Sequence, residues 1–406
     1  MMLGYLLARA GIDVLVLEKH ADFLRDFRGD TVHPSTLELM HELGVLEDLL
    51  RLPHQRTAKV RGRIGGDEIV LADMAGLPTR CKFMVLMPQW NFLNFLAEQA
   101  GRYPTFHLKM HTQVIGLVEE EGRIAGIQVN TPAGSVEVRA DLVVAADGRN
   151  SVLRECAGLV VEDVGAPMDV LWMRLSKHCG DPDLFVYANH GKALVLLDRD
   201  KFWQCGLTIP KGAASEMQAK SIEELRATIV ENAPFLCNRV GEVRDWNDVK
   251  LLTVRVDRLQ RWYRPGLVCI GDAAHAMSPV GGVGVNLAIQ DAVAAANILA
   301  EPLRKGAAST GHLAKIQRRR EFPARFTQHV QAVIRRQISG DPNHSGSRRL
   351  PWPVRLLELT TLPRRMRTRL VSVGIRPEHV QTPDVFQVSS FRRVLSAAVP
   401  AKQGEK

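Results

Sequence analysis

Two aspartates follow short apolar runs, at places where a protein could bind a polar ligand. Asp272 follows a run typical of a buried strand, and its carboxylate could accept hydrogen bonds from sugar hydroxyls. The preceding Gly271 lets a ligand approach the backbone closely. Asp147 and Gly148 follow a second such run, where small residues again permit close approach, although an Asp-Gly pair alone is more often a plain turn. Together they predict a ligand site at the ends of two strands.

A glycine-rich segment follows Asp272 and precedes an apolar run of helical character. Glycines at the start of a helix expose backbone N–H groups, and free donors at the positive end of the helix dipole favour negative charge. A glycine-rich turn whose aspartate only caps the helix is the alternative interpretation. The residues predicted to contact an electron-rich ligand here are Pro279, Gly281, Gly282, Gly284 and Asn286.

His275 stands three residues after Asp272 and could act as a general base. A histidine just past a strand is more often a packing or capping residue, so no catalytic residue is assigned. The six cysteines lie far apart, without the spacing of zinc ligands or of a disulfide framework, so no metal site is predicted.

The elements that position these residues follow an α/β pattern. Apolar residues at helical spacing predict a helix near Leu3–Ala10 that ends at Gly11, and the run Ile12–Leu17 predicts a buried strand. A second helix is expected to begin near Pro34-Ser35-Thr36, capped by a hydroxyl, and to end at Gly44. The runs Leu142–Ala146 and Leu267–Ile270 predict two further buried strands.

Residues 163–259 have a different pattern, with short alternating runs such as Ala193–Leu197 and Phe202–Ile209 between turn-forming residues. This pattern predicts an inserted antiparallel sheet. Helical stretches follow to about Ile338, then a break rich in Ser, Gly and Pro at Ser339–Pro353, and then a basic helical tail.

The two strand-end motifs in this order resemble those of the p-hydroxybenzoate hydroxylase-like, class A flavoprotein monooxygenases. The resemblance covers Asp147-Gly148 with Ser151 and Arg154, followed by Gly271-Asp272, and extends from Met1 to about Ala300. It implies a Rossmann-like FAD-binding domain in two parts, an inserted substrate domain and a C-terminal helical region. The predicted limits are 1–162 and 260–338 for the two parts of the FAD-binding domain, 163–259 for the insert and 339–406 for the tail.

The same resemblance implies further cofactor contacts. Glu18 stands where the family holds the adenosine ribose, while Arg28 and Gln89 stand at flavin-contacting positions. Asp272 would bind the ribityl chain. The implied activity consumes NADH or NADPH and O2, and a flavin C4a-hydroperoxide hydroxylates an aromatic or polycyclic small molecule. The family's halogenase segment is not reproduced at Trp203 and the residues after it, which disfavours halogenation.

The family normally begins with a strand that leads into a G-x-G-x-x-G loop, whereas this sequence opens at Met1 with the helix expected after that loop. We expect that the polypeptide starts upstream and that, without the loop, FAD binding is weakened by about a hundredfold or more. A truncated or degenerate flavoprotein without catalysis, or a non-hydroxylating flavin oxidoreductase, is the alternative.

The charge of +9 and a pI near 9.4 arise partly from arginines crowded in the last quarter of the chain. A solvated basic face is the first interpretation, because no nucleic-acid-binding motif accompanies them, and nucleic acid is not an expected partner. A membrane-surface contact or a homodimer contact stays open. No targeting or transmembrane segment is predicted, and a cytoplasmic location is expected. The arginines are Arg318, Arg319, Arg320, Arg335, Arg336, Arg348, Arg349, Arg355, Arg364, Arg365, Arg367 and Arg369.

Overall fold

The computed structural model describes residues 1–24, 31–64, 67–189, 191–306, 308–339 and 364–386 of the chain. The helices are α1 (Met2–Arg9), α2 (Pro34–Glu42), α3 (Leu46–Leu49), α4 (Gln89–Ala100), α5 (Val152–Cys156), α6 (Ala214–Gln218), α7 (Ile222–Asn232), α8 (Gly284–Arg304), α9 (Thr310–Ser339) and α10 (Arg364–Ser372). The strands are β1 (Val14–Leu17), β2 (Thr31–Val32), β3 (Gln55–Thr57), β4 (Lys59–Ile64), β5 (Asp67–Asp73), β6 (Met84–Leu86), β7 (Phe106–Lys109), β8 (Gln113–Glu120), β9 (Arg123–Thr131), β10 (Gly134–Arg139), β11 (Val143–Ala145), β12 (Val161–Asp163), β13 (Met168–Ser176), β14 (Val186–Asn189), β15 (Lys192–Asp198), β16 (Phe202–Pro210), β17 (Lys250–Leu252), β18 (Asp257–Leu259), β19 (Tyr263–Arg264) and β20 (Leu267–Cys269).

The N-terminal helix and strand have the predicted order. The apolar residues of α1 are buried against α4 and α8, and Gly11 ends the helix with a φ of 79°, which favours glycine. β1 then pairs in parallel with β7, its one strand partner among the described residues. The prediction of a buried strand is wrong here, because none of the β1 residues is fully buried and Leu15 is 43% exposed.

The start of α2 differs from the prediction. Pro34 is the first helical residue and His33 is the N-cap, with no side-chain capping hydrogen bond. Proline suits the first helical position because it has no N–H to satisfy there. The hydroxyl of Thr36 donates to Asn286 Oδ1 at 2.8 Å instead. A tertiary partner thus takes the hydroxyl that was expected to cap the helix.

The predicted strands β11 and β20 form a parallel pair in a three-stranded sheet of order β11-β20-β19. In this pair Val143 lies opposite Leu267. α8 packs against this region and its apolar residues belong to the largest core cluster. Within the described residues, Val280–Arg304 is long and apolar enough for a membrane span, but 67% of that apolar window is buried in the protein. A core helix of an α/β fold has the same composition.

The inserted sheet has seven strands in the order β17-β13-β16-β15-β14-β4-β5. Most neighbours are antiparallel, and the longest pairing joins β13 to β16 over nine residues, whereas β4 lies parallel to β14. The predicted limits 163–259 omit β4 and β5, which come from the first part of the chain. β4 pairs with β14, more than a hundred residues away, and β5 pairs with β4, so the first of these pairings leaves no local sequence pattern.

The C-terminal residues 373–386, here called the C-terminal strap, cross several helices of the FAD-binding part. Val380 N donates to Glu42 at 2.8 Å, Gln381 N to Asn297 at 2.9 Å, and Val385 N to the Arg9 carbonyl at 3.1 Å. The prediction of a basic helical tail therefore holds within the described residues for α10 and not for the strap. The predicted break at Ser339–Pro353 lies outside the described residues beyond Ser339.

Candidate functional site

The edge of the three-stranded sheet brings both strand-end motifs together. Because β11 and β20 are parallel and in register, their carboxyl ends meet at the same edge, and Ile270 N donates to the Ala145 carbonyl at 3.0 Å. Asp147 is exposed and Asp272 is half-buried at this edge. Gly148 has a φ of 86°, and a Cβ added there would meet no atom within 4 Å, so the backbone at Gly148 is open to a ligand.

A buried ion pair clamps the first motif to the second. Arg154 and Asp257 are 5% and 1% exposed, and the two guanidinium nitrogens of Arg154 lie 3.2 and 3.1 Å from the two carboxylate oxygens. Arg154 Nη1 also donates to the Ala273 carbonyl at 3.4 Å. Asp257 accepts from Ala276 N at 3.4 Å. The pair therefore holds the segment after Asp147 against the segment after Asp272.

The glycine loop, residues 279–284, packs against β2 and leads into α8. Gly281 and Gly282 have φ values of 77° and 60°. A Cβ on Gly282 would lie 2.2 Å from Thr31 Oγ1, so the loop packs directly on that residue. α8 begins at Gly284 with no side-chain cap, which leaves its first amide groups as donors. The loop fits an electron-rich ring system held at a helix N-terminus.

Asn286 has a structural role that the sequence did not reveal. Its side chain is 5% exposed and makes four hydrogen bonds, accepting from His33 N and Thr36 Oγ1 and donating to the Thr31 and Gly282 carbonyls. All its donors and acceptors are used within the protein. The predicted cofactor contact of Asn286 stays a prediction, and its backbone amide is the group left for it.

Asp291 on α8 holds the Gly271–Ala273 turn in place. It is fully buried and accepts from Gly271 N at 3.1 Å, His275 Nε2 at 2.6 Å and Arg320 Nε at 2.9 Å. Burial opposes the charged form of Asp291, but its interactions with His275 and Arg320 outweigh burial and lower its pKa. His275 is 1% exposed and packs against the Trp262 ring at a tilt of 45°. It is a packing residue rather than an exposed base.

Arg320 and Glu378 complete this buried network and were missed by the sequence analysis. Arg320, 1% exposed, also donates to Glu378 of the C-terminal strap at 3.1 Å, and Arg319 donates to the same carboxylate at 2.8 Å. The interpretation of these arginines as a solvated basic face is therefore wrong for Arg320. Charge alone does not reveal which arginine is buried, because the partner lies 58 residues away.

The remaining predicted contacts are less well defined by the structure. Glu18 follows β1, is half-buried, and accepts from His20 N at 3.0 Å. Gln89 is the first residue of α4 and is also half-buried. Arg28 lies outside the described residues. Pro279 precedes the 3-10 turn of the glycine loop. The roles of these four residues in cofactor binding stay predictions.

The fold is of the α/β class, and comparisons with known proteins identify it as a flavin-binding one. The family described as FAD binding domain matches residues 1–330. A 6-methylpretetramide 4-monooxygenase from Streptomyces rimosus is 32% identical over 338 residues, covering 83% of this chain and 81% of the relative. The chain belongs to this family, and it is an FAD-dependent monooxygenase of the p-hydroxybenzoate hydroxylase-like class.

Solved structures show the same fold. A probable FAD-dependent monooxygenase from Pseudomonas aeruginosa is similar with a TM-score of 0.71 and 22% identity, covering 83% of this chain and 93% of that one. An anhydrotetracycline hydroxylase from Streptomyces rimosus has a TM-score of 0.70 and 23% identity, covering 91% and 73%. At these identities the likeness supports the predicted α/β fold and no finer assignment.

Proposed function

We propose that this protein uses NADH or NADPH and O2 to hydroxylate a polycyclic aromatic compound. The glycine loop at the start of α8, beside the edge that carries Asp147 and Asp272, is the observation that carries the proposal. The 32% identical relative acts on 6-methylpretetramide by name, which supports a polycyclic substrate. A cytoplasmic location and a homodimer stay predictions.

Bound FAD would supply the redox chemistry, accepting hydride from the nicotinamide and activating O2. The residues of this chain bind and orient it. Asp272 would accept hydrogen bonds from the ribityl hydroxyls, and the amides of Gly284 and its neighbours would stabilise negative charge on the reduced ring. The half-buried Val280 and Val283 lie on either side of Gly281 and Gly282 and would exclude water from the reacting face.

The test begins with the visible spectrum of the purified chain mixed with FAD. We expect bound flavin, and NAD(P)H oxidation that increases when 6-methylpretetramide is added. The Asp272→Ala variant should bind FAD about ten- to a hundredfold more weakly, because a charge-assisted hydrogen bond is lost. Asp141→Ala is the matched control, since Asp141 is exposed just before β11, at the opposite end of that strand. A native chain that takes up no FAD would overturn the proposal.

A further inference from the structure

A cavity of about 60 Å³ lies beside the glycine loop, between the start of α8, α9 and α10. Phe326 and Val330 of α9 and Leu370 of α10 contribute to its apolar wall. Since a water site needs roughly 10–15 Å³ by the same measure, the cavity has room for about four waters or for the hydroxyl-bearing edge of an aromatic ring. Its position beside Val283 places it next to the predicted flavin contact.

Three buried polar side chains line this cavity, and each has an atom without a hydrogen-bond partner among the described residues. His33, Gln290 and Gln331 are 2%, 4% and 4% exposed. The unpartnered atoms are His33 Nε2, Gln290 Nε2 and Gln331 Oε1. An unpartnered polar group that is buried away from water is costly, so three around one cavity indicate that something polar binds there.

The bonded atoms of these side chains decide what each free atom can do. His33 Nδ1 lies 3.2 Å from the Val371 carbonyl, which can only accept, so Nδ1 carries the proton and Nε2 is an acceptor. Burial lowers the pKa of His33 to about 4, against a smaller opposing effect of the Val371 and Gly281 carbonyls, so the ring is neutral at neutral pH. Gln331 Nε2 donates to the Ser278 and Val280 carbonyls at 2.8 Å, which leaves Oε1 as an acceptor.

The unpartnered buried atoms of the wall favour a neutral ligand over a carboxylate. Gln290 Oε1 accepts from Glu378 N, so its free Nε2 is the one donor of the three unpartnered atoms. Two arginines also line the cavity. The guanidinium of Arg320 is already paired with Asp291 and Glu378, and that of Arg376, an exposed residue, lies over the Phe322 ring, 5.8 Å from its centroid. The three unpartnered atoms therefore offer two acceptors and one neutral donor.

We propose that His33 determines specificity by accepting a hydrogen bond from the hydroxyl of a neutral phenolic ring that enters this cavity. Gln331 Oε1 offers a second acceptor and Gln290 Nε2 a donor for a neighbouring oxygen. The inference rests on the proposed function, because it takes the ligand to be the aromatic substrate. It predicts that a free phenol binds in preference to its methyl ether or to an aromatic carboxylate.

The test measures binding of 2-naphthol, 2-methoxynaphthalene and 2-naphthoate by calorimetry, to the chain with and without added FAD. For the native chain we expect 2-naphthol to bind about three- to tenfold more tightly than the ether, with the carboxylate weakest. His33→Leu should reduce the ratio of phenol to ether affinity to about one, and His33→Gln, which keeps an acceptor oxygen, should retain part of it. His107→Gln, at an exposed histidine on β7, should leave the ratio unchanged.

A phenol preference that survives in folded His33→Leu overturns the proposal, as does tighter binding of the carboxylate or no binding of any probe to the native chain. If His33→Leu does not fold, folded His33→Gln is the deciding variant. Complete loss of the phenol preference in His33→Gln also overturns the proposal. The flavin spectrum separates this result from the proposed function, since FAD uptake is read independently of naphthol binding.

Discussion

Two aspartates that pair with buried arginines use similar chemistry in two regions of the molecule, with different consequences. Asp291 in the FAD-binding part accepts from Arg320, His275 and the backbone of Gly271. Asp181 beside the seven-stranded sheet accepts two hydrogen bonds from Arg239, at 2.7 and 2.8 Å, and one from Trp203 at 2.7 Å.

The difference lies in what each carboxylate holds. Asp291 fixes the turn that carries Asp272, so its hydrogen bonds support both stability and the cofactor site. Asp181 fastens a loop to β16 and to the 3-10 turns after α7, far along the chain from the cofactor motifs. The ion pair of Asp291 therefore matters for the cofactor site because Asp291 also accepts from the backbone amide of Gly271, and not because the pair is buried.

The largest effect is expected for Asp291→Asn. Asparagine has one oxygen for three donors and no charge for Arg320, so the free energy of unfolding should fall by about 3–5 kcal/mol. Bound FAD should also be lost as the Gly271–Ala273 turn loosens. Urea denaturation and the visible spectrum measure the two effects. The exposed Asp141→Asn is the control, and normal flavin content in folded Asp291→Asn would contradict the comparison.

Asp181→Asn should lower the free energy of unfolding by about 3 kcal/mol, because Arg239 is 5% exposed and loses its carboxylate. The Ser176 and Phe235 carbonyls still accept from Arg239, which limits the loss. FAD content per folded molecule should not change. Loss of flavin from Asp181→Asn would show that the ion pair of Asp181 also supports the cofactor site.

Acidification should distinguish these aspartates from His33. Interactions with Arg239 and its neighbours outweigh burial and lower the pKa of Asp181, and the pKa of Asp291 is lowered as well. Both carboxylates therefore stay charged in the folded protein, and their protonation reduces the free energy of unfolding only below about pH 4. His33 differs: its pKa is about 4 when folded, against an ordinary value of 6.5, so the unfolded state gains protons first.

The native chain should therefore lose about 3 kcal/mol of unfolding free energy between pH 7.5 and 4 through His33. His33→Gln should lose less over that range, and the exposed His41→Gln should behave like the native chain. Chemical denaturation at a series of pH values measures this loss. An equal loss in native chain and His33→Gln would assign the effect to other groups.

The smallest effects are expected at the glycines. Gly282→Ala adds a Cβ 2.2 Å from Thr31 Oγ1 at a positive φ and should cost about 2 kcal/mol while weakening FAD binding. Gly148→Ala also has a positive φ but open space around the new Cβ, so about 1 kcal/mol is expected. Thermal unfolding measures the loss of stability in the two variants. Equal losses would show that Thr31 moves away from the new Cβ at no cost in stability.

Much of the site was predictable because its signals are local. Strand, glycine and aspartate follow one another within a few residues at Leu267–Asp272 and at Leu142–Gly148, and the parallel pairing of β11 and β20 brings them to one edge. The prediction of a hydroxyl cap for α2 was wrong because the Thr36 hydroxyl donates to Asn286, 250 residues away. The contribution of β4 and β5 to the inserted sheet was missed for the same reason.

The amino-acid sequence by itself determined the strand-end motifs, the glycine loop and the family, since each depends on residue types at short spacing. Only the tertiary structure decided that Arg320 is buried against Asp291 and Glu378, that the side chain of Asn286 makes all its hydrogen bonds within the protein, and that His33 lines a cavity beside α10. The physical reason is that a buried charge or polar group is defined by its partner. That partner can lie anywhere along the chain.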